Sequence, residues 1–117
     1  MPTFILQSNS IPKDNDTLNV LQKHAREIIS EEIGKSPQFV LTMISECTQM
    51  QFGESSKPCA YAEIKNVGKL DATLTDSLSN RISSMISESL NIEKDRIYIE
   101  FQESERHLWG WNGKTFA

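Results

Sequence analysis

The chain runs through one pattern twice, and that internal repeat limits its folds more than any other feature. In the first half, Phe4-Ile5-Leu6 is a short apolar run that ends in the turn-prone stretch from Ser8 to Asp16. Asp16 or Thr17 is placed to cap a helix in which Leu18, Leu21, Ala25, Ile28 and Ile29 recur at helical spacing. Gly34 stops it, Ser36-Pro37 turns the chain, and Phe39-Val40-Leu41-Thr42-Met43-Ile44 reads as a buried strand. In the second half, Ala60-Tyr61-Ala62-Glu63-Ile64 forms a strand leading to Gly68. A long helix follows with Leu74, Leu78, Ile82, Met85, Ile86 and Leu90 on one stripe. After a turn at Asn91 to Asp95, Ile97-Tyr98-Ile99-Glu100-Phe101 alternates as a strand. Aligning Val40 with Tyr98 gives an offset of about 58 residues between two βαβ units. The predicted fold is α+β: one domain, residues 1–117, with a four-stranded mixed sheet and two helices on one face.

Two helices leave the other face of such a sheet without a cover. Yet apolar residues fall on both sides, Phe39, Leu41 and Met43 on one and Val40 and Ile44 on the other. A sheet buried on both faces needs a second layer, and the expected supplier is another copy of the chain. At 117 residues there is room for one domain and its core. A net charge of −4 argues against non-specific nucleic-acid binding, which needs a basic stripe. No apolar run approaches the roughly 18 residues of a membrane span. The opening has neither a basic n-region nor a long apolar run, so no secretory signal is expected and any export would take an unconventional route. Two cysteines, Cys47 and Cys59, are too few to staple a fold, and the expected compartment is the cytoplasm.

Pro2 is the residue with the most chemistry in reach. Initiator methionine is usually removed before a residue this small, leaving a proline with a free secondary amine. An ordinary α-amino group titrates at about 7.7–8.0 and is mostly protonated at neutral pH. In an apolar pocket the charged form is disfavoured, and a pKa of about 6 leaves about 90 % free base at pH 7, a usable general base. The following Phe4-Ile5-Leu6 strand holds such a nitrogen at the edge of the core. The plainer reading is a proline that follows the start codon and frays.

Short motifs along the whole chain, in order and at nearly constant spacing, carry a resemblance. They are Met1-Pro2-Thr3-Phe4-Ile5, Gly34-Lys35-Ser36-Pro37-Gln38, Phe52-Gly53, Pro58-Cys59-Ala60, Val67-Gly68-Lys69 and Asp95-Arg96-Ile97-Tyr98-Ile99, closing with Gly110-Trp111-Asn112 and Thr115-Phe116-Ala117. The chain resembles the macrophage migration inhibitory factor family of the tautomerase superfamily. The resemblance implies a homotrimer of βαβ-βαβ subunits and isomerase activity, keto–enol tautomerisation of phenylpyruvate-like 2-oxo acids, without a cofactor or metal. By position it implies that Pro2, as mature N-terminus, is the base. Lys35 would hold the substrate carboxylate as a compact cation, and Val67 would supply backbone hydrogen bonding at the pocket mouth. Tyr98 would reach a neighbouring subunit's site. Trp109 would rim the pocket and Trp111 would anchor the C-terminal segment. On residues alone, Lys35 reads as a solvated loop lysine and Tyr98 as a core or interface tyrosine.

Two departures from the family pattern stand out. Glu100 takes the place of a neutral asparagine of the animal cytokines and shares a strand face with Tyr98, so a carboxylate is expected to enter the pocket and raise the pKa of the Pro2 amine. Cys59-Ala60-Tyr61-Ala62 lacks the second thiol of the Cys-x-x-Cys pair of some members, which excludes dithiol exchange at that site. The remaining polar candidates, His24 and His107, lie too far apart in the sequence to make a metal site without further ligands. The second functional reading is a trimeric, cytokine-like signalling or binding protein with a vestigial pocket and a receptor partner.

Overall fold

The computed structural model describes Met1–Ala117. Local signals set its elements: strands β1 (Thr3–Ser8), β2 (Leu41–Glu46), β3 (Ala60–Val67) and β4 (Ile97–Ser104), and helices α1 (Asn15–Ile33) and α2 (Ala72–Leu90), in the order β1-α1-β2-β3-α2-β4. A C-terminal hairpin, β5 (Gly110–Trp111) and β6 (Lys114–Thr115), follows. Asp14 caps α1, its carboxylate accepting from the Asp16 amide at 3.0 Å and the Thr17 hydroxyl at 2.8 Å. The helix therefore starts before the expected Asp16 or Thr17 cap, because Asp14 satisfies donors from both of those residues. Asp71 caps α2 through the Leu74 amide at 2.9 Å. Both helices end on left-handed residues, Gly34 at φ 78° and Asn91 at φ 55°.

Thr3 corresponds to Ala60, Asn15 to Ala72 and Leu41 to Ile97, offsets of 57, 57 and 56 residues, and both helices have 19 residues. The sheet order is β2-β1-β3-β4. β1 and β2 are parallel, β3 and β4 are parallel, and the two pairs meet antiparallel at β1 and β3. Phe39 lies outside the sheet. Pro37 and the Ser36 hydroxyl, which accepts from the Gln38 amide, set a single 3₁₀ turn over Pro37–Phe39, so β2 begins at Leu41 instead of Phe39.

The core lies between the sheet and the helices. Phe4, Leu6, Ala62 and Ile64 pack against Leu21, Ala25 and Ile29 of α1 and Leu78, Ile82 and Ile86 of α2, all with no exposed surface. Arg81 ties the helices together, its guanidinium donating to Glu31 and Glu32 at 2.9 Å each. The opposite sheet face carries Ile5, Leu41, Met43 and Tyr98 among polar side chains and has no cover in the subunit; Leu41 is 56 % and Tyr98 65 % exposed. No helix is long and apolar enough to cross a membrane.

Candidate active site

The start of β1 lies beside the end of β3, because the antiparallel register pairs Thr3 with Lys65. Pro2 is thereby buried at one end of the sheet, on an inner strand, and its carbonyl accepts from the Leu41 amide at 3.1 Å. This backbone bond ties Pro2 to the start of β2.

Lys35 reaches the same end of the sheet from the turn after α1. Gly34 turns the chain in the left-handed region, where a side chain would be strained. The Ser30 carbonyl accepts from the amides of Gly34 and Lys35 at 2.9 and 3.2 Å, and the Ser30 hydroxyl donates to the Lys35 carbonyl. With its backbone fixed, Lys35 extends its ammonium to the Val67 carbonyl at 2.6 Å and the Asn66 side-chain oxygen at 3.0 Å. Val67 thus meets Lys35 through its backbone. Asn66, buried and unmarked by any sequence motif, holds the lysine head in place.

These residues open into a cavity of about 470 Å³ lined by Met1, Lys35, Ser36, Phe39, Val67, Gly68, Arg106 and Phe116. The N-terminal amine of Met1 stands at its mouth. Burial, then hydrogen bonding and charge repulsion from Lys35, lowers that amine from its ordinary value of 8.0 to about 5. The far wall is the C-terminal segment, where the Arg106 Nε donates to the Phe116 carbonyl at 2.8 Å and the Phe116 amide donates to the Arg106 and Trp109 carbonyls at 3.2 Å each. Trp111 ties this wall to the rest of the site, packing edge-on to Phe39 at 6.0 Å and stacking near-parallel to Phe116 at 6.3 Å.

Of the residues expected at the site, the structure brings Lys35 and Val67 onto one cavity, and Pro2 adjoins them through Met1, which lines both that cavity and the hollow beside it. It places the other three elsewhere within the subunit. Trp109 lines an adjacent hollow of about 340 Å³ with Met1, Pro2, Phe39 and Leu41, and not the Lys35 cavity. Tyr98 and Glu100 project from β4 on the uncovered face: Tyr98 packs on Phe52 at 4.8 Å, and Glu100 stands directly beside Glu63 of β3. Tyr61, next to them, donates to Glu63 at 3.0 Å, and burial followed by the bond to Glu63 pushes its phenol up to about 12. Within the subunit, Glu100 does not line the Lys35 cavity. Sequence reasoning missed Asn66, Arg106 and Phe116 as site residues. The last two arrive because the C-terminal segment folds back as a hairpin about Asn112 (φ 53°) and Gly113 (φ 84°), an Asn-Gly turn signal that was readable.

Comparison with known proteins decides the kinship. The family model for macrophage migration inhibitory factor (MIF) matches residues 1–117. The chain belongs to the MIF family. The MIF homologue of Brugia malayi is 30 % identical, and the MIF of Xenopus tropicalis 29 %, each over the full length of both chains. Among solved structures, the MIF homologue from Prochlorococcus marinus superposes with a TM-score of 0.90 at 34 % identity, covering 98 % of this chain and 99 % of that one. This MIF-family chain thus has the tautomerase-superfamily fold over its whole length. Its two cysteines are free, Cys59 buried and Cys47 half-buried.

Proposed function

We propose that this protein is a cofactor-independent keto–enol tautomerase of phenylpyruvate-like 2-oxo acids, acting through the secondary amine of Pro2 once Met1 is removed. The observation that carries the reading is the N-terminal amine itself. It stands at the mouth of an apolar-walled cavity beside Lys35, in surroundings that hold it largely unprotonated at neutral pH. Removal of Met1 transfers the amine to Pro2, one residue deeper.

In the forward direction the Pro2 nitrogen takes a proton from the carbon next to the ketone. The C–H electron pair becomes the C=C bond, the carbonyl π pair moves to oxygen, and oxygen takes up a proton; ketonisation is the reverse. Lys35 has two of its three N–H groups on Asn66 and Val67, and the third, which bonds the Met1 amine before processing, turns to the substrate carboxylate. Phe39 and Phe116 offer an apolar slot for the aryl ring. The assembly in this reading is a homotrimer, in which the uncovered sheet face packs on a second copy and Tyr98 and Glu100 complete a neighbour's site. The apolar Leu41 and Met43 exposed on that face support it.

The test is phenylpyruvate ketonisation by protein whose intact mass confirms loss of Met1, against Pro2→Gly. Turnover in the processed protein and its loss in the variant are expected. No turnover above background from pH 6 to 9 sinks the catalytic reading and leaves the cytokine-like binding protein in its place.

A further inference from the structure

Two cations face one cavity in a chain that is acidic overall. Lys35 comes from the turn after α1 and Arg106 from the turn after β4, with Phe39, Val67 and Phe116 between them and no Asp or Glu among the eight lining residues. Within the subunit, a monocarboxylate occupies one such cation and leaves the other without a counter-charge. Arg106 is also held in a defined attitude. Its Nε bond to the Phe116 carbonyl is its one side-chain bond to the protein, so both Nη groups of the fork are free. Arg106 also lines an adjoining hollow with Glu103, Glu105 and Ala117, yet no ion pair joins it to any of their carboxylates. Glu103 accepts from the Leu70 amide at 2.6 Å and pairs with Lys69 at 3.8 Å, and Glu105 pairs with His107 at 3.3 Å. A planar guanidinium with two free N–H₂ groups matches a carboxylate in shape as well as charge.

We propose that Arg106 makes this cavity selective for aryl 2-oxo acids that carry a second carboxylate at the end remote from the 2-oxo acid, with Lys35 taking one anion and Arg106 the other. The proposal rests on the tautomerase reading and names its substrate class, a dianion in place of a monoanion. Arg106 is a specificity determinant here and takes no part in the proton transfer.

Benzoylformate and 4-carboxybenzoylformate are 2-oxo acids with no hydrogen next to the ketone, so they bind without reacting. Calorimetric titration of the Met1-processed protein is expected to give about tenfold tighter binding of the dicarboxylate, weakening with added salt. Arg106→Gln, which keeps an N–H donor for the Phe116 carbonyl, brings the ratio close to one, and Arg106→Lys keeps part of it. In turnover, kcat/KM for 4-carboxyphenylpyruvate over phenylpyruvate follows the same order. Equal affinity in the natural chain, or a preference that survives Arg106→Gln, overturns the proposal. So does a ratio that appears only in Glu100→Asn, which means that a second copy's carboxylate already neutralises Arg106. Phenylpyruvate turnover without dicarboxylate preference defeats this inference alone. Dicarboxylate preference without turnover of either substrate defeats the tautomerase reading alone, and no binding of either probe defeats both.

Discussion

The two faces of the sheet are built from alternate residues of the same four strands, yet they follow different rules. Phe4, Leu6, Ala62 and Ile64 look toward the helices and have no exposed surface. On the other side the strand register sets three rows across the sheet: Leu41, Thr3, Lys65 and Gln102; Met43, Ile5, Glu63 and Glu100; Ser45, Gln7, Tyr61 and Tyr98. The first face is apolar at its centre, with Ser8, Thr42 and Asn66 toward its ends, and closes within one subunit. The second mixes apolar side chains at its β2 edge with a carboxylate pair toward β4, and its only ion pair is Lys65 with Glu63 at 3.6 Å. Burial on one face fixes the fold. The other face is the one free to take on assembly and chemistry.

The comparison breaks hardest at the covered face. Ile64→Ala removes a fully buried side chain and leaves a cavity, and it is expected to cost about 2–5 kcal/mol, read as a lowered denaturation midpoint at unchanged slope. An effect under about 1 kcal/mol would mean that the helices do not close that face as tightly as the geometry requires. Leu41→Lys, on the uncovered face, is expected to leave the fold of the subunit intact while dispersing the proposed trimer, because there it sets a charge in the layer between copies. Sedimentation velocity separates the two results: an unchanged species for the first kind of change, a folded smaller species for the second. A Leu41→Lys protein that keeps its mass in solution would show that this face is not the interface.

Glu100→Asn sharpens the comparison between neighbouring strand positions. A carboxylate near the amine proposed as base favours its protonated form, so removing it is expected to lower the amine's pKa and extend activity to lower pH. An unchanged pH profile would place Glu100 outside every copy's site. The smallest effect belongs to the chain that keeps Met1. Its amine ordinarily titrates at 8.0 and is lowered to about 5 in the fold, so between those values the unfolded chain binds more protons. Stability therefore rises with pH across this window, is free of the penalty above about 8, and carries it in full below about 5. Denaturant titrations at several pH values check this against an N-acetylated chain, which lacks the titrating amine and should lack that part of the slope.

Much of this was legible in the residues. The apolar stripes placed both helices, Gly34 and Asn91 marked their ends, and the repeat gave the βαβ-βαβ plan. The errors lay where several residues of similar chemistry compete for one role. Asp14, Asp16 and Thr17 are all plausible caps, and only the observed hydrogen bonds select Asp14. Phe39 continues an apolar run, but the turn begun at Ser36 and Pro37 withholds it from the strand and turns it toward Trp111. At the candidate site, Pro2, Lys35 and Val67 followed from position in a family pattern. Arg106 stood in a charged turn with nothing local to distinguish it from its neighbours.

The sequence by itself determined what nearest neighbours along the chain decide: periodicity, the helix stops and the duplication, each set by residues a few positions apart. Tertiary structure alone decided which ends meet. The antiparallel junction of β1 and β3 puts Pro2 beside Asn66 and Val67, about 65 residues away along the chain. The hairpin about Asn112 and Gly113 returns Phe116 to Arg106 and closes the cavity over the N-terminus. Such pairings depend on the register of strands far apart in sequence. That register is set by burying one whole sheet face at once, which no local stretch of residues encodes.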